Sequence, residues 1–238
     1  VLTEMPNHPS GVGPPEYRGK RFVREFYENI PVCRCWVYAR ENKTFRNRIA
    51  FYISFLLSAV FFGIFRVKNR FDTIYVTSPP LLVGLVGVAL STLWRIPFVF
   101  EVRDLWPESA VELNQLTKKK HIAMGNAIAN LCYRRASALV GVTRGIVEKL
   151  REKPEAVGRI ELIKNGTNPD RFRFAYDAKL KKQLGWDEDF IVLYAGIHGL
   201  AQGLEYVLEA ARELLDDSRI RFVLIGEGPY RGQLIQSA

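Results

Sequence analysis

Short runs of β-branched and aromatic residues alternate with helix-forming runs along nearly the whole of this 238-residue chain. The strand-like runs fall at 1–3, 32–38, 73–77, 97–102, 138–142, 160–163, 190–195 and 220–225. The helix-like runs fall at 47–66, 81–93, 120–135, 144–152, 204–215 and 230–237. Two strand runs, Ile191-Val192-Leu193-Tyr194 and Phe222-Val223-Leu224-Ile225, are apolar without a break. A strand with one wet face alternates apolar with polar residues, whereas a strand covered on both faces does not. The pattern therefore predicts parallel sheets with helices on both faces, the doubly wound α/β class.

The alternation is interrupted once. Asn165-Gly166-Thr167-Asn168-Pro169-Asp170 is dense in turn formers, and a polar, basic segment follows as far as Lys182. This predicts two Rossmann-like domains, 1–164 and 174–238, joined by a linker at 165–173. The second holds two strands and two helices, too little to bury a stable sheet on its own. Both ends read as cut: the chain opens inside a strand without Met and stops inside a helix. Gly11-Val12-Gly13-Pro14-Pro15 lacks the strand-then-helix setting of a dinucleotide fingerprint.

Composition is that of a globular protein, 48% hydrophobic and 25% charged, which excludes a disordered chain. The three cysteines, Cys33, Cys35 and Cys132, are too few and too close for a disulfide framework. Cys33-x-Cys35 has no second ligand pair for zinc, so no metal site is expected.

The net charge of +9 is local. Residues 1–70 carry 12 Lys and Arg against 5 Asp and Glu, and the remainder carries 22 against 20. The basic residues bracket the most apolar stretch, Ile49 to Phe65: Arg46 and Arg48 precede it, and Arg66, Lys68 and Arg70 follow. Such flanks attract anionic lipid at about 1 kcal/mol per residue. Seventeen residues reach about 25 Å as a helix, short of a hydrocarbon core near 30 Å. Three readings stay open: a buried core helix, a helix lying in one leaflet, and a true span. The leaflet reading makes Arg46, Arg48, Phe51, Phe55, Phe61, Phe62, Arg66 and Lys68 the membrane contacts.

In open α/β sheets ligands bind beyond the carboxyl ends of the strands. The first such exit is Ser78-Pro79-Pro80, where Ser78 is either a plain turn residue or part of a cleft floor. The next carries Arg103, Asp104, Trp106 and Glu108. A carboxylate beside Arg103 stays ionised and can orient a sugar hydroxyl or act as a base; the bland reading is a salt-bridged loop. Thr143 caps the following helix, with anion binding as the alternative. Gly196-Ile197-His198-Gly199-Leu200-Ala201-Gln202-Gly203 leads into a helix and reads as a phosphate cradle, although it is neither a Walker loop nor a full dinucleotide fingerprint. Gly226-Glu227-Gly228-Pro229 is a tight turn with proline near a helix start.

Taken together these residues resemble nucleotide-sugar glycosyltransferases of the GT-B fold, in the large retaining family four. The resemblance covers nearly the whole chain. Val1 to Pro9 is similar to the family's second strand and its exit. Thr77-Ser78-Pro79-Pro80 with Phe98 to Ser109 resembles the subgroup that builds lipid-linked surface polysaccharide, including fucosamine-transferring enzymes of O-antigen assembly. Asn165-Gly166 resembles the hinge-proximal Asn-Gly. Gly196 to Glu205 resembles the donor loop, and Gly226-Glu227-Gly228-Pro229 the next strand exit.

The resemblance implies transfer of a sugar from a nucleoside diphosphate to an acceptor hydroxyl, with retention and no obligatory metal or other cofactor. It implies Asp104, Arg103 and Glu108 as catalytic residues and Gly196, His198, Gly199, Gln202, Gly203, Gly226 and Glu227 as donor-binding residues. Ser78, Thr143, Asn165 and Gly166 would line the cleft and hinge. The acceptor would be a lipid-linked glycan and the location the cytoplasmic face of the cell membrane. Two departures stand out. Ile197 and Gln202 occupy places where many members carry Arg and Lys for the diphosphate. The family's glycine-rich first strand and its paired C-terminal glutamates have no counterpart here, so the resemblance implies an incomplete enzyme, inactive alone.

Two other readings compete: a nucleotide-sugar epimerase of the same two-domain design, and a non-catalytic basic α/β module that binds membrane. The acidic content after Arg70 and the absence of an aromatic-basic stripe argue against nucleic acid.

Overall fold

The computed structural model describes residues 1–7, 11–42, 44–67, 71–172 and 177–238. His8, Pro9, Lys68, Arg70 and Phe174, which entered the sequence reading, lie outside the described residues. The chain divides into two units, Val1–Asn165 and Gly166–Ala238.

The first unit opens with β1 (Leu2–Glu4), β2 (Phe22–Tyr27) and β3 (Ile30–Cys35). β3 lies between the other two, parallel to β1 and antiparallel to β2. The β2–β3 hairpin turns at Glu28-Asn29, with Glu28 at positive φ. The sequence pattern predicted strands at 1–3 and 32–38 but none over β2, and only parallel pairing. β2 reads Phe-Val-Arg-Glu-Phe-Tyr, whose charged pair hides the strand period, and the turn carries no glycine.

Helix α1 (Phe45–Arg66) follows. Thr44 caps it by accepting the Asn47 N–H at 3.3 Å, and Arg66 in the last turn suits the negative end of the helix dipole. At 22 residues it is about 33 Å long, longer than the apolar stretch alone predicts because the cap lies ahead of the basic residues. By length and composition, Arg46–Arg66 is enough to cross a membrane. One stripe of α1, however, belongs to a protein core. Phe55 and Ala59 are buried with Cys35, Val37, Val86 and Leu90, and Phe51 and Phe62 pack against them. Phe51, Phe55 and Phe62 are therefore core contacts rather than membrane contacts, because a 3.6-residue period puts them on one face with Ala59. Mid-helix serines tie the same face down. Ser54 Oγ accepts the Tyr38 N–H at 2.8 Å, and Ser58 Oγ donates to the Trp36 carbonyl at 2.6 Å.

A four-stranded, wholly parallel sheet completes the unit, in the order β4 (Ile74–Ser78), β5 (Phe98–Val102), β6 (Ala138–Gly141), β7 (Arg159–Leu162). Its crossovers are α2 (Val83–Trp94), then α3 (Glu108–Glu112) with α4 (Lys119–Arg135), then α5 (Arg144–Arg151). The main core joins Phe98, Phe100 and Val102 of β5 to Leu139, to Ala129, Cys132 and Tyr133 of α4, and to Leu150. Gly84 and Gly87 bring α2 close to this core: a Cβ there would meet Cys132 Sγ at 2.6 Å and Val76 at 2.7 Å.

In the second unit α6 (Ala178–Gln183), capped by Asp177, occupies a segment the sequence reading took as polar connection. β8 (Phe190–Ala195) and β9 (Ile220–Ile225) pair in parallel, with α7 (Leu204–Glu213) between them and α8 (Arg231–Ser237) after. The expectation of strands covered on both faces fails here. Phe190, Leu193 and Ile225 are exposed, because two strands with three short helices offer too few neighbours.

Candidate functional site

The exits of β4 and β5 are laced together. Arg103 N–H donates to the Ser78 carbonyl at 2.9 Å. Ser78 is itself buried. Three peptide bonds at these exits are cis: Ser78–Pro79, Pro79–Pro80 and Trp106–Pro107. Pro107 is buried against α4, where a Cβ on Gly125 would stand 3.0 Å from the proline ring. Ser109 N–H donates to the Leu105 carbonyl at 2.9 Å and closes the turn into α3.

This scaffold leaves Arg103 exposed and Asp104 half-buried at the strand end. No ion pair joins them among the described residues. The carboxylate that is paired in this loop is Glu108, bonded to Lys153 beyond α5. Adjacent residues at the exit differ in exposure, and the cation that reaches the loop comes from a distant turn, which sequence proximity does not reveal. Glu108 Oε2 and Ser109 Oγ are buried without hydrogen-bond partners. Glu108 thus holds the loop to the α5 end and sets the frame around Asp104. Thr143 caps α5 by accepting the Ile146 N–H at 3.2 Å. Asn165 and Gly166 are the exposed residues on either side of the unit boundary.

In the second unit the exits of β8 and β9 interlock through main chain. Gly196 N–H donates to Ile225 O at 2.9 Å, His198 N–H to Glu227 O at 3.0 Å, and Tyr230 N–H to His198 O at 3.0 Å. The two glycines opposite are required by this approach. A Cβ on Gly226 would lie 1.8 Å from Gly196 O, and one on Gly228 2.2 Å from His198 O. Tyr194 Oη donates to the Ile197 carbonyl at 2.9 Å and braces the loop from the strand side.

The interlock buries His198, and neither ring nitrogen has a hydrogen-bond partner. Beyond it a 3-10 turn, Leu200–Gln202, ends at Gly203 in the left-handed region, the N-cap of the ten-residue α7. No side chain caps that helix. Tyr206 N–H already donates to the Gly203 carbonyl at 3.1 Å, so it is the Leu204 and Glu205 amides that are left at the positive end of the dipole, where they suit an anion. Gln202 and Glu205 are exposed beside this helix start. The Glu227 side chain stands well out in solvent, 3.6 Å from Arg231. The geometry therefore assembles Gly196, His198, Gly199, Gly203, Gly226 and the start of α7 in one place, with Gln202 and Glu227 at its rim.

Sequence reasoning missed Lys153 and Tyr194. Lys153 carries no motif; only the turn geometry brings it to the loop. Tyr194 read as one more strand residue. Among the described residues no group of three or more His, Cys, Asp or Glu gathers as a metal site, and the three cysteines are free thiols.

Residues 1–166 match a family model described as "Glycosyl transferase 4-like domain". Among curated proteins the whole chain aligns at 27% identity with WcaI of Escherichia coli, named for colanic acid biosynthesis glycosyl transfer, and covers 60% of that protein. A 106-residue stretch, 42% of the chain, is 34% identical to alpha-D-kanosaminyltransferase of Streptomyces kanamyceticus, of which it covers 28%. Among solved structures, Anabaena HepE in complex with UDP-glucose superposes over 88% of this chain and 52% of its own, at 18% identity and a TM-score of 0.60. Sucrose-phosphate synthase from Thermosynechococcus elongatus superposes over 99% of this chain and 56% of its own, at 18% identity and a TM-score of 0.68. The chain thus spans little more than half the length of HepE, the synthase and WcaI. The likeness to the solved structures shows the fold, the α/β GT-B architecture with parallel sheets.

Proposed function

The chain belongs to the glycosyl transferase 4-like family, and from that premise we propose that it serves transfer of a sugar from a nucleoside diphosphate to an acceptor hydroxyl, with retention at the anomeric carbon and without an obligatory metal. The acceptor in this reading is a lipid-linked glycan of cell-surface polysaccharide, met at the cytoplasmic face of the membrane. WcaI's colanic acid name supports the polysaccharide assignment, and the HepE complexes with UDP and UDP-glucose support a uridine nucleotide.

One observation carries the donor assignment: two glycine turns locked backbone to backbone, opening onto an uncapped helix start. Amides fixed in this way need no reorganisation when charge develops on the departing diphosphate, so they stabilise the leaving group electrostatically. With Ile197 and Gln202 in the loop, main-chain amides and the α7 dipole take the larger share of that work. Asp104, half-buried on a braced strand exit, orients the acceptor or the reacting sugar. Glu108, held by Lys153, is a positioning residue for that loop.

The test is sugar transfer from radiolabelled UDP-sugars to polyprenyl-diphosphate acceptors, in the chain joined to the remainder of a relative such as WcaI. Asp104→Asn keeps the side chain's size and removes its charge. It is expected to lower turnover by more than about tenfold with KM for the donor unchanged. Near-normal turnover would remove Asp104 from the mechanism.

A further inference from the structure

α1 presents a second stripe, opposite in character to the one in the core. Ile53, Leu57, Phe61, Ile64 and Phe65 follow one another at helical spacing and are exposed, Leu57 at 65% and Phe65 at 60%. Surface helices of soluble domains carry polar residues there. From Ile53 to Phe65 the stripe runs about 18 Å along the axis. Exposed Arg46 and Arg48 stand before it and exposed Arg66 after it, and no acidic residue occurs anywhere in the helix.

We propose that this surface docks on an anionic phospholipid bilayer, with α1 lying in the plane of the interface. Charge complementarity selects the occupant: an apolar strip one helix wide, closed at both ends by arginines and free of carboxylates, matches acyl chains beneath anionic headgroups. The inner stripe decides against a span, because crossing would tear Phe55 and Ala59 from the core and break the Ser54 and Ser58 hydrogen bonds. The inference deepens the lipid-linked acceptor reading and gives it a geometry, since a docked α1 holds the first unit against the surface where such an acceptor is anchored.

Vesicle flotation tests it without donor or acceptor, so failure here leaves the donor assignment intact, and loss of nucleotide binding leaves this surface intact. The chain is expected to float with phosphatidylcholine vesicles containing phosphatidylglycerol and to be released by added salt. The doubly substituted L57E/F61E variant is expected to lose about tenfold or more in partitioning, and Arg46→Gln and Arg48→Gln about fivefold each. Val157→Glu, at an equally exposed apolar position outside α1, is expected to bind like the wild type. L57Q/F61Q repeats the test without added charge, and an unchanged far-UV spectrum certifies the fold. Failure of the wild type to float with anionic vesicles, or undiminished binding by folded L57E/F61E or L57Q/F61Q, would overturn the proposal.

Discussion

Cys35 and Cys132 are fully buried thiols on opposite sides of α2, and burial pushes each up to about 12. The raised values favour the neutral thiol in the folded chain. Their contribution to stability is therefore complete below the ordinary thiol value. It is lost as pH rises from about 9 through about 12, where the unfolded chain ionises and the folded chain resists. Urea midpoints are expected to fall across that window, and more gently in a Cys35→Ala, Cys132→Ala variant compared with its own midpoint at pH 7. An identical slope in both proteins would show that the thiols do not drive the loss. His198 is the other kind of buried polar group. Its two nitrogens are cut off from water with nothing to bond, a burden of about 1–3 kcal/mol, within the loop assigned to the diphosphate. Neither property is written in residue type alone. A Cys or a His reads the same in sequence whether it is wet or dry.

At the scale of elements, α1 is the instructive case. Its sequence is apolar all round, which is why core helix, leaflet helix and span stayed open together. The fold separates the faces. Phe55→Ala is expected to cost about 3 kcal/mol, while Leu57→Ala, two residues on, stays within about 0.5 kcal/mol; chemical denaturation of both variants measures the contrast, and equal losses would mean the outer stripe is also packed. Strong periodic elements were legible: β8 and β9 fall where the apolar runs put them, and α4 begins one residue earlier than expected. The missed elements share a cause. α3 and α6 are five and six residues long, too short to show a period. β2 hides behind Arg24, which is exposed, and Glu25, which faces partners rather than a core: it accepts from Tyr17 Oη at 2.9 Å and pairs with Arg34.

At the scale of the molecule, alternation of strands and helices settled the α/β class, and the turn-rich segment fell at the boundary of the two units. The candidate site was legible where backbone geometry depends on glycine, at Gly196, Gly203 and Gly226. It was illegible where a side chain arrives from far along the chain, as Lys153 does at Glu108. The second unit buries only His198, Leu204 and Leu234 among its described residues, yet it carries the loops assigned to the donor. The central claim is that these loops hold a nucleoside diphosphate, and calorimetric titration with UDP and GDP, against uridine and guanosine, tests it most directly. The account predicts saturable heat with a diphosphate and none with either nucleoside. An absence of saturable binding by both diphosphates would contradict it.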